Sequence, residues 1–307
     1  MASVWYKNVI CYRITSEVEI NQVIWEELIK SRRHTPILPT FERSTGFVPV
    51  FRNLGMELLT HEFNNCLYLS LLEETKKVPP AILNRKVDEK ILEAQKNIKD
   101  KDGEISKSQK DTIKEEVKQE LLKKILPEES ITNACIDISN NLLFINAGSA
   151  AKAEVMLEQI KKAVEDFTTL PFFEDSLKVF LTNWLLDANL IPASIILGDE
   201  CTLQSDSKSK ASLSKQNLDS DEVNTHLESG KNVRDISLEW DNQLEFKLTE
   251  AGHIKRLKPT EMLLTDVGKE ISDDGSLLEF YEANYMIMIN TFSRLFPFLL
   301  EKMPVNK

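Results

Sequence analysis

The sequence predicts an α+β protein, with mixed β-sheet domains and a protruding lysine-rich αα-hairpin. Three observations carry this. Short runs of β-branched and aromatic residues, bounded by turn residues, recur along the chain. Amphipathic stretches at three- and four-residue spacing lie between them. After Val78-Pro79-Pro80 the text changes to helix formers full of lysine. A length of 307 residues sets a soft expectation of about two domains and allows a large core. The 42% apolar and 28% charged fractions exclude a disordered tail, a collagen and a coiled-coil rod.

Residues 5–14, with Trp5, Val9, Ile10, Tyr12 and Ile14, read as a strand. Residues 19–32 place Ile20, Val23, Ile24, Glu27 and Leu28 at helical spacing, ending in Arg32-Arg33. Residues 45–51 and 66–72 read as strands, so the start is β-α-β-β. Residues 81–126 hold two helices around Lys101-Asp102-Gly103. Ser106 is expected to cap the second, and Pro127 to stop it. Residues 134–138 and 142–146 form a strand pair around Ser139-Asn140-Asn141. Ser149 then caps a helix expected to reach Phe167. Residues 177–186 look strand-like, and 202–221 read as loop or short helix. Residues 233–240, 244–249 and 253–257 form a meander, turning at Asp241-Asn242 and Ala251-Gly252. A helix from about Ser276 to Lys302 closes the chain, and Pro297 should bend or restart it. Its large side chains Phe292, Leu295, Phe296 and Phe298 serve either the monomer core or a subunit interface.

The nine glycines are never closer than seven positions. GxGxxG, GxxxxGK and GxSxG are therefore all absent, which disfavours a standard nucleotide hydrolase, a dinucleotide enzyme and an α/β-hydrolase. His61-Glu62 begins like a zinc motif, but Asn65 stands where the second histidine would be. The other three histidines, His34, His226 and His253, read as surface or structural. Acidic pairs such as Glu128-Glu129 and Asp273-Asp274 read as solvated loop charge. No nucleophile, base and oxyanion donor converge, so no enzyme is expected. The four cysteines are dozens of residues apart, with no metal-knuckle spacing, and read as reduced thiols in a cytosolic protein. Apolar runs such as 295–300 are far shorter than a membrane span, and the N-terminus has no signal-peptide pattern.

The net charge of −11 argues against a generic polyanion binder, but its distribution is uneven. Residues 76–124 carry fourteen basic and ten acidic side chains, whereas residues 125–230 carry seven and seventeen. A second basic concentration is Lys255-Arg256-Leu257-Lys258. A local positive face inside an acidic protein is physically allowed, because screening confines each field to about 10 Å. Lysine–glutamate helices are also the ordinary composition of an exposed hairpin.

Several distinctive blocks lie in order along nearly the whole chain: Trp5-Tyr6-Lys7-Asn8 with Tyr12-Arg13-Ile14, then Gly46-Phe47-Val48-Pro49, Ile136-Asp137, Ala147-Gly148-Ser149-Ala150-Ala151-Lys152, and Leu181-Thr182-Asn183-Trp184. The strongest block is residues 222–258, with Leu238-Glu239-Trp240-Asp241 and Glu245-Phe246-Lys247-Leu248-Thr249-Glu250-Ala251-Gly252-His253. Together they resemble the bacterial recombination-associated RdgC family.

The resemblance implies a non-enzymatic protein without a cofactor. It implies a homodimer closed into a ring that encircles double-stranded DNA with little sequence preference. It further implies restraint of the RecA recombinase, a role in recombination and replication-fork repair, and a cytoplasmic, nucleoid-associated location without membrane contact. Basic positions matching the family are Lys76 or Lys77, Lys124, Lys215, Lys231, Lys255, Arg256 and Lys258, the expected DNA contacts. Ile125 and Leu126 match the dimer gate, although Leu126 replaces an aromatic residue and Glu128 an arginine. The expected parts are residues 1–78, the hairpin and tip 79–130, an α/β part 131–232, and a dimer-forming meander and helix 233–307. The alternative is a protein-interaction scaffold that meets the recombination machinery and touches DNA only incidentally.

Overall fold

The computed structural model describes residues 4–97, 105–269 and 276–303. The elements run β1 (Ile10–Ile14), α1 (Gln22–Lys30), β2 (Arg43–Val48), β3 (Thr60–Phe63), β4 (Cys66–Thr75), α2 (Pro80–Asn97), α3 (Lys107–Leu122), β5 (Glu128–Asp137), β6 (Leu142–Ile145), α4 (Ala150–Ala163), β7 (Thr169–Pro171) and α5 (Lys178–Leu186). Then follow β8 (Ile195–Gln204), β9 (Lys210–Ser214), α6 (Asp221–Glu228), β10 (Asn232–Trp240), β11 (Leu244–Thr249), β12 (Ile254–Pro259), α7 (Glu261–Lys269) and α8 (Leu277–Lys302). The class is mixed α+β with two antiparallel sheets.

The chain divides into two compact units. The larger comprises Met1–Ser31, Pro49–Ser70 and Thr132–Lys307. In it, β1 pairs with β6 on one side and β7 on the other, β6 pairs with β5, and β3 forms a hairpin with β4. A second sheet has the order β12-β11-β10-β8-β9. Helix α8 supplies the core between them. Phe292 packs against Trp5, Tyr6 and Phe144, Phe296 against Phe144, Phe172 and Phe173, and Phe298 against Trp240. Both Phe292 and Phe296 are fully buried, so within this chain they serve the monomer core. Polar contacts fix its register: the Trp5 indole donates to Asn284 at 3.2 Å, and the Ser293 hydroxyl to Asp137.

The smaller unit comprises Arg32–Val48 and Leu71–Ile131. Its helices α2 and α3 pack on each other, with Lys90 and Glu120 paired at 2.7 Å. Ser106 caps α3 in a reciprocal box with Gln109, as expected from the sequence. The expected turn at Lys101-Asp102-Gly103, like the pair Asp273-Asp274, lies outside the described residues.

Several expectations need correction. Residues 178–186 form helix α5, not a strand. Leu177, Leu181, Trp184 and Leu185 are buried at helical spacing, which outweighs the strand-like composition. The serine-rich stretch contains β9, because Leu213 is buried and the ladder from Glu200↔Ser214 to Gln204↔Lys210 holds the segment extended. The first strand starts only at Ile10, since Trp5 and Tyr6 serve the core beside α8. Helix α4 ends at Ala163, and Phe167 instead meets Trp25 edge-on at 5.4 Å. Helix α8 runs through Pro297 without restarting, flanked by buried Phe296 and Leu299.

Candidate nucleic-acid interface

The five-stranded sheet presents one apolar and one polar face. Val233, Ile236, Leu238 and Trp240 of β10, and Leu244, Phe246 and Leu248 of β11, are buried in the core. Strand alternation therefore turns Ser237, Glu239, Glu245 and Lys247 to the other side, where they line a groove of about 730 Å³.

Two bulges shape this groove. On β12, four residues from Lys255 to Lys258 oppose three from Glu245 to Lys247. The extra residue is Arg256, whose φ of 52° lies in the left-handed region. Its amide leaves the ladder for the Asn8 side chain at 3.3 Å, and Leu257 N bonds Lys7 O at 2.9 Å. A regular strand would separate 256 and 258 from 255 by face. With the extra residue Leu257 goes into the core, while Arg256 and Lys258 both line the groove.

On β8, residues 198–200 bulge around Ser237, between the pairs Leu238↔Leu197 and Ile236↔Cys201. The Ser237 hydroxyl accepts from Glu200 N at 2.8 Å and donates to Glu200 O at 3.0 Å. A Cβ on Gly198 would lie 2.4 Å from Ser237 Oγ, so this close approach requires glycine. The bulge brings the Glu200 carboxylate 2.7 Å from Arg256 and 3.2 Å from Lys247, and Lys247 also meets Asp235 at 2.8 Å. The hydrogen bond from Lys247, then the charges of Lys247 and Arg256, hold the Glu200 carboxyl below the usual carboxylate range. Four cations line the groove, Lys215, Lys247, Arg256 and Lys258, against four carboxylates, Asp199, Glu200, Glu239 and Glu245, so its charges balance.

The structure thus gathers Lys215, Arg256 and Lys258 in one groove. Lys215 has a left-handed φ of 57°. Lys255 is half-buried opposite Lys247 in the ladder. Lys231 is half-buried and donates to His226 Nδ1 at 2.8 Å. In the smaller unit Lys77 is exposed, 3.7 Å from Glu128, and Lys124 is exposed just beyond α3. Of the pair Lys76 and Lys77, Lys76 is buried, only 7% accessible, and its ammonium reaches the carbonyls of Leu38 and Pro39 at 3.5 and 3.3 Å. Ile125 is half-buried, whereas Leu126 is 87% exposed. Sequence reasoning missed Lys247 and Glu200. The alternation of residues 244–249 already carried the signal for Lys247.

A family model described as "Putative exonuclease, RdgC" matches residues 4–305. The chain belongs to the RdgC family. It is 29% identical over 305 residues to the recombination-associated protein RdgC of Proteus mirabilis (strain HI4320), covering 97% of both chains. It is 30% identical over 274 residues to the protein of that name from Pseudoalteromonas translucida (strain TAC 125), covering 87% of this chain and 88% of the relative. With that of Serratia proteamaculans (strain 568) it shares 29% over 299 residues, 95% of each chain. The RdgC match therefore spans both units, and the relatives' name ties the family to recombination. Among the described residues no helix is long and apolar enough to cross a membrane.

Proposed function

We propose that this RdgC-family chain binds double-stranded DNA without sequence preference. As a homodimer it would close a ring around the duplex and restrain RecA-dependent recombination, acting at replication forks and on the nucleoid in the cytoplasm. The observation that carries the reading is the β12 bulge, which turns Arg256 and Lys258 to one face beside Lys215 and Lys247. Long cationic stems in an open groove suit phosphate contact, which carries no sequence information. Lys77, Lys124, Lys231 and Lys255 complete the proposed contacts, and buried Lys76 is left out. Exposed Leu126, with Ile125, is the proposed gate contact of the 79–130 part. The 233–307 part would supply the other dimer contact.

The role is read as non-catalytic, despite the exonuclease wording of the family description. The relatives from Proteus mirabilis and Serratia proteamaculans are named recombination-associated, which supports this reading. The balanced charge of the groove favours a second reading, a scaffold for a protein of mixed charge. Charge reversal at Lys231 and Lys255 separates the two. It should abolish recombinase inhibition under the DNA reading and spare it under the scaffold reading.

The direct test is fluorescence anisotropy of a labelled random-sequence duplex across a salt series. If about six phosphates are neutralised, the log–log slope is about −5. A flat response would overturn the mechanism.

A further inference from the structure

We propose that Glu200 is an internal stand-in for phosphate. It occupies Arg256 in the free protein, and the nucleic-acid backbone binds this groove by displacing it. The inference rests on the DNA-binding reading above and adds to it a residue that weakens binding.

The groove gathers cations, yet each is matched by a carboxylate in the lining, so little field remains to attract a polyanion. Two of these cations are already engaged, Arg256 at 2.7 Å and Lys247 at 3.2 Å, by the same Glu200 oxygen. A carboxylate oxygen and a phosphate oxygen offer a guanidinium the same charge-assisted contact. The occupant is also built in: the Glu200 backbone is clamped by Ser237 through two hydrogen bonds, in a bulge that only glycine at 198 permits.

The partners differ in how readily they let go. Lys247 is only 16% exposed and keeps Asp235 at 2.8 Å if Glu200 leaves. The Arg256 side chain is 69% exposed, and its one ion pair on the described residues is with Glu200. Exchange of Glu200 for a phosphate therefore frees one cation, Arg256, and leaves Lys247 neutralised in place.

The consequence is quantitative. One more phosphate neutralised steepens the salt slope by about 0.9, which at 0.1 M salt corresponds to roughly eightfold tighter binding. Glu200→Gln keeps the side-chain shape and removes the charge. Anisotropy with a random 30-base-pair duplex should show this variant binding about five- to tenfold tighter than wild type, with a slope steeper by about one. Glu239→Gln, which removes an equal charge from the same groove, should change affinity far less. In an Arg256→Ala background the gain from Glu200→Gln should vanish.

If Glu239→Gln tightens binding equally, or the gain survives without Arg256, the effect is the general field and the inference falls. If wild type binds duplex steeply with salt but Glu200→Gln does not tighten it, the inference falls and the DNA-binding reading stands. If neither protein binds at low salt, both fall.

Discussion

Glu26 shows how a single buried carboxylate holds two elements of the larger unit together. It is 8% exposed on α1 and accepts from Leu59 N at 3.2 Å, Thr60 N at 2.9 Å and Thr60 Oγ1 at 2.8 Å at the start of β3. Glu26→Ala leaves these buried donors without an acceptor and should cost about 3 kcal/mol, read as a lower urea midpoint at unchanged slope. His253 gives the opposite kind of dependence. Burial, and then the charge of Lys255, lower its pKa below the ordinary value of 6.5. The unfolded chain therefore takes up the proton first as pH falls. Stability is full above about pH 6.5 and is lost as pH falls through the folded value. Thermal midpoints should drop between pH 7 and 5, and His253→Gln should flatten that fall.

At the scale of elements, the β12 bulge separates stability from binding. Arg256 holds a left-handed φ of 52°, which costs a non-glycine residue roughly 1 kcal/mol. Arg256→Gly removes that strain along with an exposed ion pair of comparable size. The unfolding midpoint should therefore stay within about 0.5 kcal/mol of wild type while duplex affinity falls. A large loss of stability would mean that the side chain, and not the backbone, holds the bulge. Much of this sheet was legible in the sequence, because residues 233–249 alternate cleanly and Asp241-Asn242 marks the turn, with φ of 53° and 52°. The cations of residues 255–258 were legible as a cluster. The turn of Arg256 and Lys258 into the groove was not, since it depends on one extra residue opposite β11, which composition does not reveal. The burial of Lys76 was hidden for a similar reason: the carbonyls of Leu38 and Pro39 that take its ammonium come from a loop 38 and 37 positions earlier. Residues 178–186 carried both a strand composition and a helical spacing, and burial of Leu181, Trp184 and Leu185 decided for the helix.

For the whole molecule, a net charge of −11 and a proposed polyanion partner are compatible only if binding is local and screened elsewhere. Ring closure further requires a dimer. Sedimentation at micromolar concentration should show two copies, and Leu126→Glu, a change at an 87% exposed side chain, should weaken the proposed gate without altering the unfolding midpoint. On this reading the polar face of the five-stranded sheet carries the phosphate contacts. The salt slope of duplex binding by an Arg256→Ala/Lys258→Ala variant tests it most directly against wild type. The slope should be shallower by about one, from the loss of Lys258, because Arg256 only exchanges Glu200 for a phosphate, with no change in preference among duplex sequences. A slope equal to that of wild type would contradict it.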